Sequence, residues 1–185
     1  MGVLNQLTYE DLQYTPADGK RYELVEGELF VSAAPIPLHQ RIVMRLSGPL
    51  SMHVRERRLG EIFIAPCDIV FAPSTVLEPD IFFVSAARSH IVGEKYLTGP
   101  PDLVVEVLSE GSARLDRHIK FNQYALYGVP EYWLIDPYGR TLQMFRLRGD
   151  EKQYEPARLL GFSDTLTSPI FPDFSLPLFS LWEGT

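Results

Sequence analysis

The sequence lacks most of what marks secreted, membrane-bound or zinc-dependent proteins. Cys67 is the one cysteine, which excludes an internal disulfide framework and a cysteine-based zinc site. No apolar run approaches the roughly 20 residues that span a bilayer. Residues 1–12, MGVLNQLTYEDL, have no basic stretch leading into an apolar run, so no secretory signal is expected. Gln6 stands where a myristoylation signal after Gly2 needs Ser or Thr. There is no Gly-rich phosphate loop, no H-E-x-x-H helix, no internal repeat and no Gly/Ser linker. A cytoplasmic protein with no membrane partner, folded as a single domain over residues 1–185, is the expectation. Positive charge is also short, with 17 Lys and Arg against 24 Asp and Glu and a net charge of −7. That excludes a strongly basic protein that coats nucleic acid without specificity.

What is present is an ordinary globular composition, 45% hydrophobic and 22% charged over 185 residues, enough to bury a core without staples. Thr8 before Glu10 and Asp11 signals a short helix that ends near Pro16. Residues 22–26 and 28–32 flank Gly27 as a hairpin. Residues 38–58 are the longest helical candidate, with Ile42, Leu46, Leu50, His53 and Val54 on one face. Pro49 should kink or split that helix, because it removes the hydrogen bond to the Arg45 carbonyl. Strands are expected at 61–65, 68–71, 81–84 and 103–108, with a loop and a short helical piece at 86–96. A helix at 112–127, ended by Gly128 and Pro130, leads to a buried strand at 132–135. Residues 142–147 and 152–160 read as an antiparallel pair turning at Gly149-Asp150, and the Pro-rich tail as extended chain. This order is mixed α/β, with a mixed sheet and no regular βαβ series.

Three residues carry chemical interest. Glu106 lies inside the apolar strand Leu103-Val104-Val105-Glu106-Val107-Leu108, where an unpaired carboxylate is costly. Asp80 opens the strand Ile81-Phe82-Phe83-Val84, and Lys120 shares a helix face with Asp116, Gln123, Tyr124 and Tyr127. Each alone has a plain reading: a strand end, a turn-former, a solvated lysine. Together, on neighbouring strands and a covering helix, two carboxylates and an ammonium suit a hard dication and phosphodiester hydrolysis.

The sequence resembles the Uma2 family of restriction-endonuclease-like proteins, within the PD-(D/E)xK nuclease superfamily. The resemblance rests on residues 22–29 (YELVEGEL), 35–39, Glu78-Pro79-Asp80-Ile81, residues 101–109 (PDLVVEVLS), Asp116, Lys120, Tyr124 and residues 128–137 (GVPEYWLIDP). Pro169, Leu176 and Leu181 in the tail extend it over nearly the whole chain. It implies a restriction-endonuclease-like core: a mixed central sheet flanked by helices, with the N-terminal hairpin and a C-terminal antiparallel extension. It also implies that Asp80, Glu106 and the Val107 carbonyl bind Mg²⁺ or Mn²⁺. Leu108 stands where the superfamily usually has lysine, and the resemblance moves that role to Lys120, which orients or deprotonates the attacking water. Glu23 and His39 are secondary candidates, Glu23 as a further carboxylate and His39 at the site's edge. His53, His90 and His118 read as structural or solvated, Cys67 as a small apolar filler and Tyr132-Trp133 as core.

Two functions follow. One is a Mg²⁺-dependent endonuclease acting on DNA, as a homodimer with one site per strand. The alternative is a catalytically silent nuclease-fold module that binds nucleic acid or assembles with partners. Residues 39–58 hold five arginines against Glu56 alone, so the net acidity does not exclude DNA. Weak, salt-sensitive, metal-dependent binding is the expectation.

Overall fold

The chain, seen in a computed structural model, is described over residues 6–149 and 151–184. The backbone N–H of Thr8 donates to the Asp11 carboxylate at 2.8 Å and opens α1 (Tyr9–Leu12), as a threonine ahead of acidic residues should. Strands β1 (Arg21–Val25) and β2 (Glu28–Ser32) form the expected hairpin. Its turn residues Glu26 and Gly27 both have positive φ, 51° and 83°, the primed turn whose twist matches a hairpin. Helix α2 (Pro37–Glu56) starts on Pro37, where a missing N–H is harmless. It buries Ile42, Leu46, Leu50 and Val54. The helix runs unbroken through Pro49, so the expected split does not occur. The apolar face buried on both sides of Pro49 holds the helix together across the lost hydrogen bond.

The chain continues through β3 (Gly60–Ile64), β4 (Ile69–Ala72), β5 (Thr75–Leu77), β6 (Ile81–Ser85), a 3₁₀ turn (Ala86–Ile91), β7 (Leu97–Thr98) and β8 (Leu103–Val107). Strands β5 and β7 are too short to show a pattern in the sequence, and neither was expected. The helix expected at 112–127 is instead a π-helical stretch, Leu115–Lys120, running into α3 (Phe121–Leu126). Then come β9 (Glu131–Asp136), β10 (Thr141–Arg146), β11 (Arg158–Leu160), β12 (Thr165–Ser168) and β13 (Phe171–Pro177). The strand expected over 152–160 is confined to β11, with a lone bridge between Leu147 and Tyr154. Asp150, half of the expected turn there, lies outside the described residues. The tail is not single extended chain: β12 and β13 pair antiparallel and lead into a 3₁₀ turn, Leu178–Trp182.

Six strands form the main sheet in the order β11-β10-β9-β8-β6-β3, with β8 and β9 parallel and the other pairs antiparallel. This is the mixed sheet expected. Strand β8 lies inside it and is covered on both faces. Leu103, Val105 and Val107 face α2 and the C-terminal hairpin, while Val104 and Leu108 face Tyr124 and Tyr132. That explains its apolar run without alternation. A second sheet, β2-β1-β5-β4-β7, carries the N-terminal hairpin beside it. Buried Glu131 accepts from Trp133 Nε1 at 2.9 Å, Ser168 Oγ at 2.8 Å and Arg146 Nε at 2.9 Å. These bonds tie β9, β10 and β12 together. Among the described residues no helix is long and apolar enough to cross a membrane.

Candidate functional site

Strands β6 and β8 are antiparallel neighbours with Ile81 opposite Val105. That register sets Asp80, the residue before β6, beside the end of β8 where Glu106 and Val107 lie. The Val107 N–H donates to Asp80 Oδ2 at 2.8 Å. Arg21, the first residue of β1, donates from Nη2 to Asp80 Oδ1 at 2.9 Å. His39, in the first turn of α2, meets Asp80 Oδ2 through Nε2 at 3.0 Å. An ionised carboxylate only accepts, so the imidazole donates through Nε2–H. The other ring nitrogen, Nδ1, is buried without a hydrogen-bond partner among the described residues.

A second centre forms around Lys120. Its Nζ stands 2.7 Å from Glu23 Oε1, 3.0 Å from Glu106 Oε1 and 3.5 Å from Asp116 Oδ1. Tyr124 donates its hydroxyl to Glu106 Oε1 at 2.7 Å. The π-helical stretch turns Asp116 and Lys120 inward, and α3 continues that face with Gln123 and Tyr124. Such widened turns are common at functional sites. The two centres are joined. Glu23 Oε1 also accepts the Glu78 backbone N–H at 2.8 Å, and Arg21 Nε pairs with Glu78 Oε1 at 2.8 Å. Asp80, Glu106, Lys120 and Glu23 are each at most 2% exposed.

The candidate site residues Asp80, Glu106, Val107, Lys120, Glu23 and His39 thus lie in one cluster, with a division of partners the sequence did not reveal. Lys120 pairs with Glu106, Glu23 and Asp116, whereas Asp80 pairs with Arg21 and His39. Glu23 pairs with Lys120, neither with Arg21 nor with solvent. Arg21 was not a candidate in its own right, because an arginine two residues before a glutamate reads as a surface partner. Tyr124 was visible as the residue four after Lys120 and in the family resemblance, without a role, and its bond to Glu106 follows from the helix leaning over β8. His53, by contrast, is core, edge-on to Phe174 with ring centroids 5.2 Å apart.

The electrostatics are unbalanced. Five carboxylates (Glu23, Glu78, Asp80, Glu106, Asp116) share two permanent cations, Arg21 and Lys120. Burial alone would raise the Asp80 pKa; the His39 hydrogen bond, the Arg21 charge and the Val107 N–H outweigh it and bring it to about 2. Glu106 moves the other way, well above the ordinary carboxylate range. Burial is the largest cause, Lys120 opposes it, and the Asp116, Asp80 and Glu23 charges add to it. Burial likewise raises Asp116 and Glu78. Lys120 stays protonated: burial disfavours its charge, but Glu106, Glu23 and Asp116 more than restore it.

A hard dication suits this cluster by donor chemistry and by charge. Asp80, Glu106 and the Val107 carbonyl are oxygen donors of the kind Mg²⁺ takes. The surplus is of buried carboxylates, several driven towards the neutral form by burial and by one another, which such an ion could hold ionised. Among the described residues no group of three or more His, Cys, Asp or Glu side chains already stands in a metal-holding arrangement. Arg21 and Lys120 pair with these carboxylates instead, and an ion bound between Asp80 and Glu106 would compete with them.

Comparison with known proteins agrees with this architecture. A crystal structure of a protein described as "a putative nuclease belonging to DUF820", from Anabaena variabilis, superposes with a TM-score of 0.78. The match covers 95% of this chain and 97% of that one at 18% identity, and establishes the shared fold. "Uncharacterized protein sll1609" from Synechocystis sp. is 27% identical over 154 residues, 82% of this chain and 86% of that protein. The model of the Uma2 family, described as "Putative restriction endonuclease", matches residues 8–178. With that match spanning nearly the whole chain, on a mixed α/β fold of the restriction-endonuclease-like kind, the protein belongs to the Uma2 family.

Proposed function

We propose that the protein is a metal-dependent endonuclease that hydrolyses phosphodiester bonds of DNA. What supports this reading is the convergence of Asp80, Glu106 and Lys120 on the ends of two adjacent strands, within a family described as "Putative restriction endonuclease". Asp80, Glu106 and the Val107 carbonyl would hold Mg²⁺ or Mn²⁺. When bound, such an ion acidifies water and polarises a phosphoryl oxygen. The chain's own residues supply the rest. Val107 N–H and His39 fix the Asp80 carboxylate in one orientation. Tyr124 and Lys120 fix Glu106. Lys120, kept charged by its carboxylates, serves as a hydrogen-bond donor that orients water and steadies the negative charge developing on the phosphate. Two copies related by a two-fold axis would place one site on each strand.

The test is cleavage of a panel of supercoiled and linear DNAs in Mg²⁺ or Mn²⁺. Wild type should cut only with the ion, and Asp80→Ala should lose activity by at least about 100-fold. Equal cleavage by both chains would sink the assignment. One observation favours a second reading, a catalytically silent nucleic-acid-binding or assembly module: every carboxylate of the cluster is already paired with Arg21 or Lys120. A calorimetric titration with Mn²⁺ separates the two. Binding that Asp80→Ala abolishes favours the enzyme; no heat with or without DNA favours the silent module.

A further inference from the structure

A cleft of about 290 Å³ opens between the β1–β2 hairpin and the start of α2. Its lining includes Lys20, Arg21, Pro35, Gln40, Pro66 and Glu78. Arg21 belongs to both the cleft and the buried site. Its Nε and Nη2 hold Glu78 and Asp80 at 2.8 and 2.9 Å, which leaves Nη1 uncommitted among the described residues. Its side chain is 18% exposed, against 2% for Asp80. Asp80 therefore has Arg21 between it and the cleft side. Lys20, half-exposed, adds a second cation on the same rim and pairs with Asp18 across 2.9 Å. Gln40, exposed on the first turn of α2, offers an amide to the same space.

A cleft lined by two cations, an amide and the Glu78 carboxylate that Arg21 neutralises, leading to a carboxylate cluster, has the chemistry of a phosphodiester entry. A guanidinium is a fork that fits either a carboxylate or a phosphate. We propose that this cleft receives a phosphodiester of a nucleic-acid strand, with Arg21 as its gate. In the resting chain Arg21 neutralises Asp80 and Glu78. On substrate binding its fork passes to a phosphate oxygen and frees Asp80. Lys20 and Gln40 hold the neighbouring phosphate. The inference rests on the nuclease reading for the fate of the substrate, but not for its binding.

Binding through this cleft, unlike the metal-dependent binding expected from the net charge, uses only the chain's own cations, so the test is made in EDTA, by fluorescence anisotropy of a fluorescein-labelled 12-nucleotide single-stranded DNA across a salt series. Lys20→Glu changes an exposed residue and leaves the fold intact. It should weaken binding roughly tenfold and flatten the salt slope by about 0.7 for each phosphate no longer neutralised. Arg21→Lys keeps the charge but loses the fork, and should weaken binding several-fold. Asp80→Asn removes the carboxylate that competes for Arg21, so it should tighten binding roughly fivefold; a merely structural Arg21 would not produce this gain. Combining Asp80→Asn with Arg21→Lys should abolish it. Lys152→Glu, on the loop beyond β10, is the control and should change nothing. Wild-type affinity in Lys20→Glu and Arg21→Lys overturns the cleft and leaves the nuclease reading to its cleavage assay. So does failure of the wild type to bind the probe at low salt. Loss of binding in these variants alongside a wild type that never cuts supports the cleft and sinks the nuclease reading.

Discussion

Lys120 is the residue on which the buried charges turn. It meets three carboxylates at 2.7–3.5 Å with 1% of its side chain exposed. Removing one partner of such a set strands the others without solvent. Lys120→Met is therefore expected to cost about 3–5 kcal/mol in urea unfolding. Tyr124→Phe removes one buried hydrogen bond to Glu106 and should cost about 1–2 kcal/mol. The pH dependence has two limbs of opposite sign. Asp80 is depressed to about 2, so its stabilisation is complete above the ordinary value of 3.8 and is lost as pH falls towards 2. At that shift it contributes roughly 2 kcal/mol. Glu106 is raised, so its favourable contribution is present below the ordinary value of 4.5 and is lost as pH rises through the folded value. Metal-free stability should thus decline from mildly acidic towards neutral pH, and Glu106→Gln should flatten that decline in melts across the pH range. At this scale the sequence was informative where chemistry conflicted with surroundings. An acid inside Leu103-Val104-Val105-Glu106-Val107 needs a partner, and Lys120 with Asp116 four residues earlier could supply one. Arg21 was illegible because nothing local distinguishes it from a surface arginine; its role depends on a contact 59 residues away.

Among the elements, α2 and β8 were the clearest in the sequence, because a long helical period and an unbroken apolar run each leave one packing solution. Strands β5 and β7 were not legible: at three and two residues they exist only because longer strands present edges to pair with. The π-helical stretch was hidden as well. Its side chains share a face much as an α-helix would place them, and Asp116 and Lys120 both reach into the cluster from it. Pro49 is where local preference loses to packing. Ile42, Leu46 and Leu50 are each fully buried, and their burial holds α2 continuous through a residue that cannot donate. Pro49→Ala restores that donor and should raise unfolding stability by about 1–2 kcal/mol. An unchanged or lower denaturation midpoint would mean that the proline ring itself is packed.

Over the whole molecule, the −7 net charge is unevenly placed. Part of it is withdrawn into the buried cluster, while Arg41 and Arg55 remain exposed on α2. A surface offered to nucleic acid would therefore be less acidic than the total implies, and the acidity inside would have a use once an ion is admitted. The central claim is that this cluster is a dication site held shut by its own cations. The most direct measurement is anomalous diffraction at the manganese edge from crystals soaked in Mn²⁺. A peak bonded to oxygens of Asp80 and Glu106, with Arg21 or Lys120 drawn back, is the result expected. Saturating Mn²⁺ that leaves the cluster ion-paired and without a peak, or that binds only elsewhere, would contradict it.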